Sequence, residues 1–203
     1  LQFSYNWERW ELRAAYTELG EGFNPEVGFL QRSAFRKPEF FIQHRWRPDH
    51  LLNLLELRPH ISFRQYADFK GNLVTGYLHI DNHWVWKSGL EIHTGINYTT
   101  EGVLQDFNLS GVLVPKSTYK HNELQLVLIT NQNKAVSLNS RTLIGGYFGG
   151  DRIATTATVK ARVGDKLNSS VIVNHNILNL PNGEFKAVVL GNRLAYSFTP
   201  RMF

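Results

Sequence analysis

Apolar and polar residues alternate along most of this chain, and a period of two is a property of strands, not helices. In LVTGYLHIDNHWVWK (73–87), Val74, Leu78, Ile80, Trp84 and Trp86 share one parity. Thr75, Tyr77, His79, Asp81, His83 and Lys87 share the other. The next segment repeats the pattern: Leu90, Ile92, Ile96 and Tyr98 against Glu91, His93, Gly95 and Asn97. A three-residue loop at Lys87-Ser88-Gly89 pairs position 86 with 90 and keeps the apolar sides together, whereas a two-residue loop would set each apolar residue beside a polar one.

The pattern predicts about ten strands, near 4–18, 38–48, 54–68, 73–86, 90–101, 118–131, 134–146, 151–163, 166–178 and 184–198. Between them fall turn formers such as Lys70-Gly71-Asn72, Gly149-Gly150 and Pro181-Asn182-Gly183. No segment has helical periodicity and no linker divides the chain, so 1–203 reads as a single domain. The expected fold is all-β: an antiparallel up-and-down meander of long strands, forming an outer-membrane β-barrel or a large part of one. A long meander must protect its edges, and closure does so most fully.

Composition narrows the partners. The chain is 42% hydrophobic with only 19% charged residues, which excludes a disordered polymer. It has no cysteine, so neither a disulfide framework nor a thiolate metal site is available. The net charge of +5 is scattered; Arg45, Arg47, Lys160, Arg162 and Lys166 read as lumen or rim charges. Lipid or polysaccharide suits that distribution, and no nucleic-acid partner is expected. No apolar run approaches the roughly 20 residues of a membrane helix.

Two architectures satisfy the alternation. A soluble barrel or sandwich buries the apolar face, and Trp84 and Trp86 would then offer a platform for sugars. An outer-membrane barrel reverses the faces. The membrane reading rests on strand length and on aromatics near strand ends: Trp7, Trp10, Trp46, Trp84, Trp86, Tyr98, Tyr119, Tyr196 and Phe198. It rests also on a polar face rich in Arg, His, Glu and Asp. It makes Val74, Leu78, Ile80, Trp84, Trp86, Leu90, Ile92 and Ile96 lipid-facing.

Three stretches, GEGFNPEVGFLQR (20–32), GGYFGGDR (145–152) and HNILNLPNGEFKAVVLGNRLAYSFTPRMF (175–203), together resemble one family. It is the uncharacterised outer-membrane β-barrel domain that follows family-9-like carbohydrate-binding modules. The resemblance runs in order from about Trp10 to the end. It implies a barrel in a Gram-negative outer membrane, with other outer-membrane proteins as neighbours, and no established activity. The sugar-binding module is absent here, and the family typically continues into another strand beyond SFTPRMF, so the chain is expected to be the barrel portion of something longer.

Hairpin register marks a candidate site. If 86 pairs with 90, His83 lies opposite His93. With Lys70-Gly71 as the preceding turn, His60 faces Asp81 and Arg58 faces His83; with Gly71-Asn72, His60 faces His83. Either way Arg58, His60, Asp81, His83, Glu91 and His93 share a polar patch over three strands. Imidazoles with a carboxylate suit a divalent ion or acid–base chemistry, and equally suit the ordinary lining of a wet lumen. With neither HExxH nor GxSxG present, no catalytic residue, metal or cofactor is assigned. The apolar 20–32 loop is a second candidate, with Phe23, Asn24, Pro25 and Phe29 forming a plug or gate, or simply anchoring the loop. The expected function is a pore or membrane scaffold linked to carbohydrate recognition or uptake.

Overall fold

In the computed structural model, which describes residues 1–24, 26, 32 and 34–199, every regular element is a strand. Eleven strands form one sheet: β1 (Gln2–Asn6), β2 (Trp10–Leu19), β3 (Phe35–His44), β4 (Leu54–Ala67), β5 (Leu73–Trp86), β6 (Glu91–Val103), β9 (Ser117–Ile129), β10 (Val136–Tyr147), β11 (Gly150–Val163), β12 (Leu167–Leu180) and β13 (Gly183–Tyr196). Each pairs antiparallel with the next in that order, which makes the sheet the expected meander. Two short strands, β7 (Phe107–Leu109) and β8 (Val112–Val114), form a separate hairpin between β6 and β9. Among the described residues β1 and β13 do not pair with each other, so the sheet is open there.

The expected count of ten strands is corrected in two places. The first predicted strand, 4–18, is a hairpin: Trp7 N–H donates to Trp10 O at 2.8 Å, and β1 folds back on β2 with Phe3 opposite Ala14. The phase of the alternation shifts there, from Phe3, Tyr5 and Trp7 at odd positions to Trp10, Leu12 and Ala14 at even ones with Glu8-Arg9 between, a signal that the single-strand reading passed over. The β7–β8 hairpin was not expected at all.

Both hairpin registers argued from the sequence are present. Trp86 N–H donates to Leu90 O at 2.8 Å and His83 lies opposite His93. Of the two alternatives at Lys70-Gly71-Asn72, the sheet takes the one that sets His60 opposite Asp81 and Arg58 opposite His83.

The sheet is inside out by the standard of a soluble protein. The polar parity is buried: His79, Asp81, Asn97, His121, Glu123 and Gln125 are all under a tenth exposed. The apolar parity is open, with Ile80 at 44%, Ile96 at 45% and Leu126 at 39%. Apart from the β7–β8 hairpin at one end of the concave face, no second layer of secondary structure covers either face among the described residues. Curvature alone explains this: side chains converge on a concave face and splay on a convex one. The apolar face is therefore convex, and Val74, Leu78, Trp84, Trp86, Leu90 and Ile92 share its side with Ile80 and Ile96.

All five tryptophans gather at one end of the sheet, where β2 begins and β3 and β5 finish. Tyr5, Tyr196 and Phe198 lie at the same end. Tyr119 departs from the expected girdle. It is on the concave side at the opposite end, packed edge-on to Phe148 at 5.4 Å.

There, Val112, Val114, Leu178 and Leu180 make a small buried apolar cluster, with Phe107, Tyr119, Tyr147, Phe148 and Phe185 against it. The β7–β8 hairpin folds inward onto the sheet to build this cluster, and Asn182 Nδ2 ties it down by donating to Leu113 O at 2.9 Å.

Candidate functional site

The six residues singled out by register lie on the concave face, on three adjacent strands. Arg58 and His60 come from β4, Asp81 and His83 from β5, Glu91 and His93 from β6. Arg58 Nη2 bonds Glu91 Oε1 at 2.5 Å, and its Nε lies 3.3 Å from Glu56 Oε1. His93 Nε2 donates to Glu91 Oε1 at 2.7 Å. The His83 and His93 rings stack with centroids 3.4 Å apart and planes 6° from parallel. The His60 ring centroid lies 5.1 Å from that of His79 and 4.9 Å from that of His83.

His79 and Asn97 belong to this constellation and were not among the six. His79 Nε2 lies 3.3 Å from Asp81 Oδ2, closer than His83 Nε2 at 3.8 Å. Its Nδ1–H donates to Asn97 Oδ1 at 2.6 Å, an oxygen that also accepts from Tyr77 at 3.0 Å. The sequence did carry a signal: His79 has the same parity as Asp81 and His83. It stood two positions from the pairs that the register argument followed.

A second polar cluster lies on β9–β11. Glu123 Oε1 accepts from Arg152 Nε at 2.7 Å and lies 2.5 Å from its Nη2. The two residues are on strands either side of β10, each opposite Gly145, so the guanidinium reaches across a position with no side chain. Gly145 has φ of 150°, a backbone region that favours glycine. Arg141 donates twice to Gln125 Oε1, at 3.0 and 2.6 Å. A cavity of about 240 Å³ runs between the clusters, with Tyr77, Asn97, Glu123, Arg141 and Arg152 in its lining.

The loop expected to plug or gate is only partly in view. Phe23 is 52% exposed and Asn24 is exposed, while Pro25 and Phe29 lie outside the described residues. From the far side of that loop, Arg32 Nη1 reaches β5 and donates to Thr75 Oγ1 at 2.8 Å. Its guanidinium sits over Tyr66, 4.7 Å from the ring centroid. The described loop that packs apolar residues onto the concave face is instead β7–β8, through Val112 and Val114.

Comparison with protein families, with curated proteins and with solved structures returns no match to this chain.

Proposed function

We propose that this chain is membrane-embedded wall of an outer-membrane β-barrel, with its convex apolar face against lipid and its concave polar face lining the lumen. One observation carries the reading: the buried face is the charged one and the exposed face is the greasy one. A soluble protein with Ile80, Ile96, Leu124, Leu126, Leu128 and Ile144 each 37–45% exposed on one side of a sheet would present a large sticky surface. In hydrocarbon the same surface is at home.

Two further features support it. Long sheet strands of 10 to 14 residues from β2 onward fit a tilted span. The tryptophan-rich end supplies one interfacial belt. The resemblance to the barrel domain that accompanies family-9-like sugar-binding modules points the same way. In this reading the chain acts as a pore wall or scaffold, and the inward β7–β8 hairpin narrows the lumen at one mouth.

Single-cysteine labelling tests it, since the chain has no native cysteine. The protein is reconstituted in vesicles carrying Ile80→Cys or Ile96→Cys, or Glu101→Cys from the concave side. Nitroxide labels at 80 and 96 should collide with oxygen dissolved in lipid and escape a water-soluble nickel relaxant. The label at 101 should do the reverse. Water-side accessibility at 80 and 96 equal to that at 101 overturns the proposal.

A further inference from the structure

Buried carboxylates normally have partners, because desolvating a charge is costly without one. Asp81 breaks that rule. Its side chain is 1% exposed, and neither Oδ1 nor Oδ2 accepts a hydrogen bond. The groups nearest it are imidazoles: His79 and His60 turn Nδ1 to other acceptors, and His83 Nε2 lies 3.8 Å from Oδ2, beyond hydrogen-bond distance.

His79 must carry its proton on Nδ1, since Asn97 Oδ1 can only accept. That leaves a lone pair on Nε2, facing Asp81 Oδ2 at 3.3 Å. His60 likewise turns Nδ1 to the Arg58 carbonyl at 3.4 Å, leaving Nε2 open. One nitrogen each from His60 and His79 and one oxygen of Asp81 lie within 4.8 Å of one another. Ligands of a tetrahedral zinc at about 2.0–2.1 Å sit roughly 3.3 Å apart. Imidazole ligands bound at one nitrogen and held by a carbonyl or amide oxygen at the other are the usual arrangement around a metal.

Space is provided as well. Gly95 lies opposite Asp81 on β6, and a Cβ there would come within 2.9 Å of Asp81 Cγ and 3.0 Å of His79 Cε1. A proton on His79 Nε2 would answer one carboxylate oxygen. It would leave Asp81 Oδ1 and the His60 nitrogen unaddressed. A divalent cation answers all three.

We propose that Asp81, His79 and His60 bind one late first-row divalent cation from the concave side of the sheet, Zn²⁺ being the reference ion. Two nitrogens and a carboxylate oxygen select such ions over Mg²⁺ and Ca²⁺. Asn97 is a positioning residue that fixes the His79 tautomer. The second group around Asp81, made with His83 and His93, is the less suitable cage. Its two imidazoles stack flat, 6° from parallel, so their in-plane lone pairs do not converge on one ion, whereas the His60 and His79 rings are tilted 54° to each other.

The test uses the full chain in detergent, stripped with chelator and titrated with Zn²⁺ and, for its visible spectrum, Co²⁺. The expected result is one equivalent bound with the absorption of a low-symmetry, four-coordinate Co²⁺ site. Asp81→Asn and the pair His60→Ala/His79→Ala abolish it. Asn97→Ala weakens affinity roughly 10–100-fold, as loss of an outer partner does. His175→Ala, on the convex face, leaves it unchanged. Circular dichroism verifies that each variant keeps its sheet. No binding by the unaltered chain overturns the proposal. So does binding that survives His60→Ala/His79→Ala but is lost in His83→Ala/His93→Ala. Because the readout is metal and not lipid, its failure leaves the membrane reading standing.

Discussion

Two buried carboxylates on the same concave face are treated in opposite ways. Glu123 is met by a guanidinium through two nitrogens, and Gln125 beside it is met by another. Asp81 has three histidines within reach and no hydrogen bond. Glu123 sits in a wall that neutralises itself, which is what a structural lining requires. Asp81 sits in a wall that is electrostatically incomplete. The difference separates a part of the sheet built for stability from a part built to receive a cation.

The largest expected effect lies on the complete side. Glu123→Ala leaves the largely buried Arg152 without its counter-charge, and removing one member of a buried pair costs about 3–5 kcal/mol. Denaturant unfolding in detergent should show that loss whether or not metal is present. An unchanged midpoint would mean that Glu123–Arg152 is no more structural than the Asp81 group, and the contrast would collapse.

The contrast presumes that both clusters lie on the lumenal side, and a pair of lysines examines that. Ile80→Lys, mid-strand on the convex face, should cost about 2–4 kcal/mol of stability in a bilayer. Thr156→Lys, mid-strand on the concave face, should change it by less than about 0.5 kcal/mol. Equal penalties would remove the distinction between the two faces.

Much of this was legible in the residue pattern. Alternation gave most of the strands, and parity left two registers for β4 on β5, either of which brings His60, Asp81 and His83 into one patch; the sheet takes the one with His60 opposite Asp81. Alternation by itself did not decide which side the apolar parity faced, because a strand reads the same in water and in lipid; the outward expectation came from strand length, the end aromatics and the charge on the polar face. Curvature is a property of the whole sheet and has no local sign. The Trp7–Arg9 reversal was legible and was missed: apolar parity switches from Phe3, Tyr5 and Trp7 to Trp10 and Leu12 across Glu8-Arg9, but no glycine, proline or asparagine marks the turn. The β7–β8 hairpin escaped because its strands are only three residues each. His79 was missed through attention to directly opposed pairs, whereas the site also uses neighbours two positions apart on one strand.

A smaller effect of opposite sign belongs to the incomplete side. In chelator, Asp81→Asn removes an unpartnered buried charge, and an unsatisfied buried group costs about 1–3 kcal/mol. The variant should therefore be as stable as the parent or more so by up to that amount, while losing the rise in unfolding midpoint that Zn²⁺ gives the parent. A clear loss of stability in chelator would show that Asp81 already has an adequate partner, and would place it with Glu123.

Asp68 provides the smallest effect and the reference for both. It is an exposed carboxylate in the β4–β5 turn whose oxygens accept from Asn72 Nδ2 at 2.8 Å, Asn72 N–H at 2.8 Å and Lys70 N–H at 2.9 Å. Those donors, Asn72 first, hold its carboxyl below the ordinary carboxylate range. A depressed folded-state value means that its contribution is complete at neutral pH and is lost as pH falls through that value. Asp68→Ala should lower the unfolding midpoint slightly at neutral pH, and the gap to the parent should close under acid conditions. Asp68→Asn, which keeps acceptor geometry without charge, should flatten the pH dependence and retain part of the turn. A gap that persists unchanged into acid would mean that the turn is held by backbone conformation and not by the carboxylate. Asp68 would then no longer serve as the example of a satisfied carboxylate against which Asp81 stands out.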